Sequence, residues 1–355
     1  MAVNPEVLRL LAGMRIDLSS VVDTTVRDTV TAWATAWDEL AREWDAALAD
    51  LIANSQDGAW PSRSQIYRAE RALRAMDATE TTLERLATDA GARVLRVVPD
   101  LTDAAAEWEA RLVAAQMPAV AGTQAALTAQ FNRVDPAALE AIVNRTTQQV
   151  TALTRPLSVE AVQVMNRELI RGIALGDNPR DAGRRMVRRL EGGFNGGLTR
   201  ATTIARTEML DAHRNASHAQ DLANLDTLTG WTWAATLDTR TCPSCLAMHG
   251  RVFPVDEPGP FDHQNGRCAR VPKTKTWAEL GFTGITEPVD ITPDARVWFD
   301  NLSDADQAAV MGPARLDLLR TGRISWDDLP QRRTTAGWRD SYGIRSVRDL
   351  TAAAA

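Results

Sequence analysis

The chain has 355 residues, 45% of them apolar, a formal net charge of −6, eleven Trp against two Tyr, and only three Cys. That length and apolar content furnish cores for two or three domains, while the acidic balance argues against a wholly basic nucleic-acid binder and leaves room for a local basic patch. The odd cysteine count fits a reducing cytosol better than a disulfide scaffold. The start, Met-Ala-Val-Asn-Pro-Glu, lacks the pattern of a secretion signal, and no apolar run reaches membrane-spanning length. These features point to a soluble protein made in the cytosol, with no membrane partner.

Asn4-Pro5 pairs an N-cap residue with Pro at a first helical position, and Val7, Leu8, Leu11 and Met14 line one side of the helix that follows. A second helix is expected from Ser19-Ser20 to about Asn54. In it Val26, Val30, Trp33, Trp37, Leu40, Trp44, Ala47 and Leu51 alternate spacings of four and three, a heptad seam. The broad Trp side chains suit a loose antiparallel pairing with the chain's own next helix better than a tight parallel dimer. Gly58 to Ser62 breaks the chain, and Ser64 to about Val98 reads as a long helix ended by Pro99-Asp100. Thr102 then caps a helix carrying Trp108 and Leu112. Pro118 to Gly122 is another break, Asp135-Pro136 and Ser158 start helices, and the latter stops at Leu175-Gly176. Asn178-Pro179 opens a short helix ending at Gly192-Gly193, and the run Glu191 to Gly197 is the expected hinge. Thr199 to about Asn224 is one more helix. Trp231 to Leu237 alternates with period two and reads as a strand, Arg251 to Val255 as a second, and the tail from Asp294 as short helices with Trp298, Leu302, Leu316, Leu318 and Leu319 in their core.

The resulting fold class is mainly α, with a long N-terminal helical hairpin or bundle followed by a small α+β C-terminal domain that contains a short β element and a Cys/His clamp. The expected domains are 1–157, a helical region, 158–290, the domain with the clamp, and 291–355, a short helical tail.

All three cysteines and two of the four histidines fall within Cys242-Pro-Ser-Cys245, His249 and His263-Gln-Asn-Gly-Arg-Cys268. A Cys-x-x-Cys turn places two sulfurs a few ångströms apart, and a distant His and Cys complete a tetrahedral shell, so Cys242, Cys245, His263 and Cys268 form a candidate structural zinc site. Spacing alone does not decide between His263 and His249 as fourth ligand. Two other readings stay open: thiol redox chemistry at Cys-Pro-x-Cys, and three idle thiols. The redox motif belongs at the start of a βαβ unit, a pattern this sequence lacks.

Enzyme signatures are sparse. There is no Gly-x-Ser-x-Gly elbow and no phosphate-cradling Gly-Lys-Ser/Thr loop. His213 and His218, five apart, fall on different helix faces, and Glu208, Asp211 and His213 lack an accompanying carboxylate pair. Arg206 and Glu208 read as anchoring their helix to the neighbouring strand through a partly buried ion pair. Arg180, Arg184, Arg185, Arg188 and Arg189 crowd one helix at one-turn spacings. Like charges there are mildly destabilising, which favours an external anion such as double-stranded DNA or, alternatively, pairing with nearby carboxylates on a solvated face.

Ile204-Ala-Arg206-Thr-Glu208-Met, then Trp231-Thr-Trp233, Asp238-Thr-Arg240-Thr-Cys242-Pro-Ser-Cys245, His249-Gly250 and His263 to Cys268, in that order, resemble the head-morphogenesis domain of tailed phages. This is the MuF-like family of minor head proteins, typified by the F protein of phage Mu. The likeness spans roughly residues 160 to 285, and the tail with Trp298-Phe299, Gly312 to Arg315 and Gly322 to Leu329 is similar to what often follows that domain. Where the family pattern has His-Pro-Asn-Cys-Arg-Cys, this chain has Gln264 for the Pro and Gly266 for the first of those two Cys. Cys268 is then the one sulfur from that half, and a histidine must complete any shell.

The resemblance implies a structural, non-enzymatic role for Arg206, Glu208, Trp231, Asp238 and Arg240. It implies a virion protein of the head, assembled in the host cytoplasm and acting at the portal vertex. The implied partners are the portal protein, the major capsid or scaffolding protein, and packaged DNA. The alternative it carries is a capsid maturation protease or another head-associated enzyme.

Overall fold

The computed structural model describes residues 3–53, 70–119, 134–154, 158–159, 161, 163, 179–334 and 339–353, without the side chains of 51, 52 and 179–186. The expected breaks at Gly58 to Ser62 and Gly122, the start at Ser64 and the stop at Leu175-Gly176 lie outside the described residues. Four long helices dominate: α1 (Pro5–Ala53), α2 (Glu70–Ala114), α3 (Pro136–Thr154) and α4 (Pro179–Leu222). The chain divides into two compact units: residues 1–19, 98–143 and 210–355 in one, 20–97 and 144–209 in the other. The unit boundaries fall inside the long helices.

Three of the expected interruptions are absent. No break occurs at Ser19-Ser20, because Leu18, Val22, Thr25 and Val26 continue one buried stripe through that point. Pro99 sits inside α2 instead of ending it. A proline there forfeits one helical hydrogen bond, yet Val98, Leu101, Thr102 and Ala105 are at most 2% exposed, so burial carries the helix past it. Thr102 accordingly is no cap; its Oγ1 donates to the Pro99 carbonyl at 2.7 Å. The Gly-rich run from Glu191 to Gly197 is helical and joins the two expected helices into α4. Phe194 is fully buried there, with Trp33 and Trp37 rings 5.9 and 5.1 Å from its own. Trp33 Nε1 donates to the Phe194 carbonyl at 3.2 Å, and a Cβ on Gly197 would sit 3.4 Å from the Trp33 ring.

The heptad seam of α1 is therefore packed within the chain: Trp33, Leu40, Trp44 and Ala47 are buried, and Trp44 Nε1 donates to Thr79 Oγ1 of α2 at 3.1 Å. Val30 departs from the seam and is exposed.

Beyond α4 the chain forms the expected β element. Strand β1 (Leu228–Ala234) lies at the centre of an antiparallel sheet, between β2 (Val252–Phe253) and β3 (Ala269–Thr274). Trp231 faces Phe253 on one side and Pro272 on the other, and Trp233 faces Arg270. Gly230 is required by the pairing, since a Cβ there would lie 2.4 Å from the Phe253 carbonyl oxygen. Between β1 and β2 sits a short helix, α5 (Pro243–Met248), with Cys242 as its N-cap and Pro243 opening it.

The tail supplies α6 (Ala295–Asp300, capped by Asp294), α7 (Asp304–Met311), α8 (Pro313–Arg320) and α9 (Val347–Ala353). Their core holds Phe299, Met311, Leu316, Leu318 and Leu329 together with Leu246 of α5. The expectation of helices alone for the tail misses a hairpin, β4 (Pro330–Arg333) with β5 (Ser341–Ile344), which packs on α5. The whole is mainly α with a small antiparallel β element in its C-terminal part.

Candidate metal centre

Two segments converge at the end of β1. The first is the turn Thr241-Cys242-Pro-Ser-Cys245 at the head of α5. Here the Cys245 N–H donates to Cys242 Sγ at 3.4 Å, so the cap itself brings the two sulfurs together. The second is the loop 262–268, closed by a turn in which the Gly266 N–H donates to the His263 carbonyl at 2.9 Å and Asn265 takes a left-handed φ of 61°. The ligand atoms of Cys242, Cys245 and His263 all lie within 4.8 Å of one another. Tetrahedral zinc needs separations of roughly 3.3–3.8 Å given its bond lengths, so a small contraction suffices. Cys268 hydrogen-bonds Cys245 but stands outside that triplet.

The charges fit the donor set. A hydrogen bond from Cys245, and the His263 ring beside it, pull the Cys242 thiol down to about 5. The same thiolate pushes His263 up to about 9. Cys245, buried and donating to Cys242, is pushed strongly up. The ring Nδ1 of His263 lies 2.7 Å from the Gln264 carbonyl, an orientation that turns Nε2 toward Cys242. His249 is engaged elsewhere. Its Nδ1 accepts from the Ala235 N–H at 3.0 Å, and its Nε2 lies 2.9 Å from the Pro293 carbonyl. Both ring nitrogens are thus spent on backbone, and burial lowers its pKa.

The cleft between these groups has a volume of about 40 Å³ and is lined by all four candidate ligands with Gly266 and Arg267. A small-molecule site occupies roughly 300–1,000 Å³. The space suits a single ion.

Around the cleft lies a buried polar frame that the sequence reading does not single out. Arg214 of α4, 5% exposed, donates to the carbonyls of Gly266 and Cys268 and ion-pairs with Asp262 at 2.8 Å. Asp221, one helical face further along α4, ion-pairs with Arg270 of β3. The Arg270 guanidinium also lies over the Trp231 ring at 4.5 Å and donates to the carbonyls of Glu257 and Val255. The available signal was a polar stripe on α4: positions 214, 217, 221 and 224 recur at helical spacing, and all four are buried.

The motif residues distribute as follows. Asp238 is held by Arg267 through two 2.7 Å contacts, with Arg240 a longer 3.4 Å neighbour, and the Arg267 pairing drives its carboxyl well below the usual range. Arg206 pairs with Asp23 of α1 at 2.9 Å, so its partner is a helix and not the strand expected for it. Glu208 is buried. Arg214 and Asp221 tie the same helix to β3 and to the loop before it. Of the basic patch, Arg188 is exposed and Arg189 half-buried with a partner, while the side chains of Arg180, Arg184 and Arg185 lie outside the described residues.

Residues 163–271 match the family described as Phage Mu protein F like protein. A stretch of 63 residues is 38% identical to the Mu-like prophage FluMu F protein of Haemophilus influenzae, covering 18% of this chain and 15% of that protein. The match thus spans a small part of the relative's length. No solved structure matches the chain. No helix among the described residues is long and apolar enough to cross a membrane. The matched segment carries α4, β1, α5, β2 and the Cys/His loop, and it is through this segment that the chain is similar to phage Mu F-like proteins.

Proposed function

We propose that this chain is a structural minor head protein of a tailed phage, acting at the portal vertex during procapsid assembly, with a zinc ion clamping its MuF-like domain. One observation carries the reading: the segment that matches the phage family is also the segment that brings Cys242, Cys245 and His263 together around a small cleft. Cys242 and Cys245 hold the zinc from the α5 turn, and His263 with Cys268 from the 262–268 loop. Bound there, zinc would supply a cross-link between the α5 turn and the 262–268 loop. The helical region 1–157 then faces the portal or assembly partners, and domain 158–290 is followed by the tail 291–355.

The arginines of α4, with Arg188 exposed, are proposed to touch packaged double-stranded DNA through phosphates, without base reading. Steeply salt-dependent DNA binding, lost when Arg180, Arg184, Arg185, Arg188 and Arg189 become Ala, supports that contact; salt-insensitive binding refutes it. The structural role is tested by copurification with the portal protein and by cryo-EM density at the portal vertex of the head. Cleavage of itself or of the major capsid protein by purified material would replace it with the maturation-protease alternative.

A further inference from the structure

The residue before His263 is a carboxylate with no exposed surface. Asp262 is 0% exposed, and each of its side-chain oxygens is claimed. Oδ2 accepts from the Cys268 backbone N–H at 3.1 Å and from Arg214 at 2.8 Å, while Oδ1 accepts from Arg339 at 3.2 Å. Arg214 in turn reaches the Gly266 and Cys268 carbonyls at 2.8 Å. Arg339, arriving from the C-terminal tail, also donates to the Asp262 carbonyl at 3.0 Å and pairs with Asp211 of α4 at 3.0 Å. The loop that presents His263 and Cys268 is therefore stapled end to end by one carboxylate and backed by two guanidiniums. A buried carboxylate with so few degrees of freedom fixes the span between those two ligands.

Gly266 records the same constraint. A Cβ at that position would lie 2.1 Å from Asp262 Oδ2 and 2.7 Å from the His263 carbonyl oxygen. Residue 266 carries no side chain because the carboxylate fills that space. This is steric, not conformational: φ at Gly266 is not among the left-handed glycines.

We propose that Asp262 is the positioning residue of the metal centre: through the Cys268 N–H and Arg214 it sets the loop so that His263 and Cys268 face the Cys242-Pro-Ser-Cys245 turn. The proposal rests on the zinc reading above. Residues that orient metal ligands typically change affinity 10–100-fold when lost.

The test uses the full chain, zinc competition against a chromophoric chelator, and the absorption spectrum of the cobalt-loaded protein, whose intensity reports tetrahedral thiolate ligation. Asp262→Asn and Gly266→Ala are each expected to loosen zinc by about tenfold or more and to weaken the tetrahedral cobalt bands. Gly266→Ala removes no ligand and no charge, so it remains informative if Asp262→Asn fails to fold. Thr79→Val removes the acceptor of Trp44 between α1 and α2, destabilises without touching the loop, and is expected to keep wild-type affinity. Wild-type affinity and spectrum in both loop variants overturn the proposal, and so does an equal loss in Thr79→Val, which would mark a general structural effect. A wild-type chain that binds no zinc fails the metal reading itself, and the proposal falls with it.

Discussion

Replacing Glu109 by Gln should stabilise the protein at neutral pH and do little in mild acid. Glu109 of α2 is 1% exposed, and its Oε2 has no hydrogen-bond partner. Burial first, then the charge of Asp221, raise its carboxyl well above the ordinary value of 4.5. The cation that opposes this is Arg270, each of whose nitrogens already donates elsewhere, to Asp221 and to the Glu257 and Val255 carbonyls. Burial also pushes Asp221 up to about 6, against the pull of Arg270. Glu109 thus holds its proton to higher pH than an exposed carboxyl does.

A folded-state pKa above the unfolded one means that the folded chain holds a proton which the unfolded chain has released. Stability is full below about pH 4.5 and declines by about 1.4 kcal/mol per pH unit until the folded pKa is passed. Between pH 5 and pH 7 Glu109 therefore withdraws stability as its raised folded value is approached. Gln keeps the shape and an acceptor oxygen for the Ser217 hydroxyl but cannot titrate. Urea unfolding followed by tryptophan fluorescence should show wild type losing stability over that interval relative to Glu109→Gln, with near equality at pH 5. Equal destabilisation at both pH values, or a less stable variant at pH 7, would mean that Glu109 is ionised and serves as a second anionic partner of Arg270.

Two further substitutions separate assignments within the centre and the helices. His249→Ala orphans the buried Ala235 N–H, which should cost about 1–3 kcal/mol in thermal unfolding while leaving zinc stoichiometry unchanged; His263→Ala should do the reverse, lowering zinc affinity at little cost to the metal-free fold. Pro99→Ala restores the helical donor missing inside α2, and after allowing for the looser unfolded chain it should gain about 1–2 kcal/mol; a loss would show that α2 needs the kink that proline imposes.

Much of this fold follows from periodicity that the sequence states directly. The Trp seam of α1, the Asp135-Pro136 start of α3 and the short helices of the tail from Asp294 appear as expected, and the strand at Trp231 appears three residues earlier than its expected span, as Leu228–Ala234; each depends on local spacing or capping chemistry. The misses share a different cause. Pro99 and the glycines of residues 191–197 are helix breakers by propensity, yet Leu101, Ala105 and Phe194 bury so completely that tertiary packing overrides it. Arg214, Asp221, Asp262 and Arg339 escape notice because polar residues are ordinarily read as surface, and only the fold shows that they answer one another. The Cys/His cluster is the opposite case. Its residues are visible in sequence, but that His249 spends both ring nitrogens on backbone shows only in the hydrogen bonds.

The glycine run of α4 allows a sharper test of how packing defeats propensity. Gly192 and Gly196 are exposed, and a Cβ on either would meet nothing within 4 Å. Gly193 and Gly197, on the adjoining line of the helix, are buried, and Gly197 lets Trp33 come close. Each helical glycine costs about 0.8–1 kcal/mol relative to Ala, so the outer pair weakens the helix with no packing in return. Gly192→Ala and Gly196→Ala should each raise stability by about 0.5–1 kcal/mol. A bulky residue at 197, such as Leu, should instead cost about 1–3 kcal/mol by forcing Trp33 away. If the run were a hinge, both alanine variants would strain the bend and destabilise, and the tolerance of position 197 would not depend on side-chain volume. The sign of the change at 192 and 196, measured by thermal unfolding, thus decides whether α4 is one rigid helix or two joined elements.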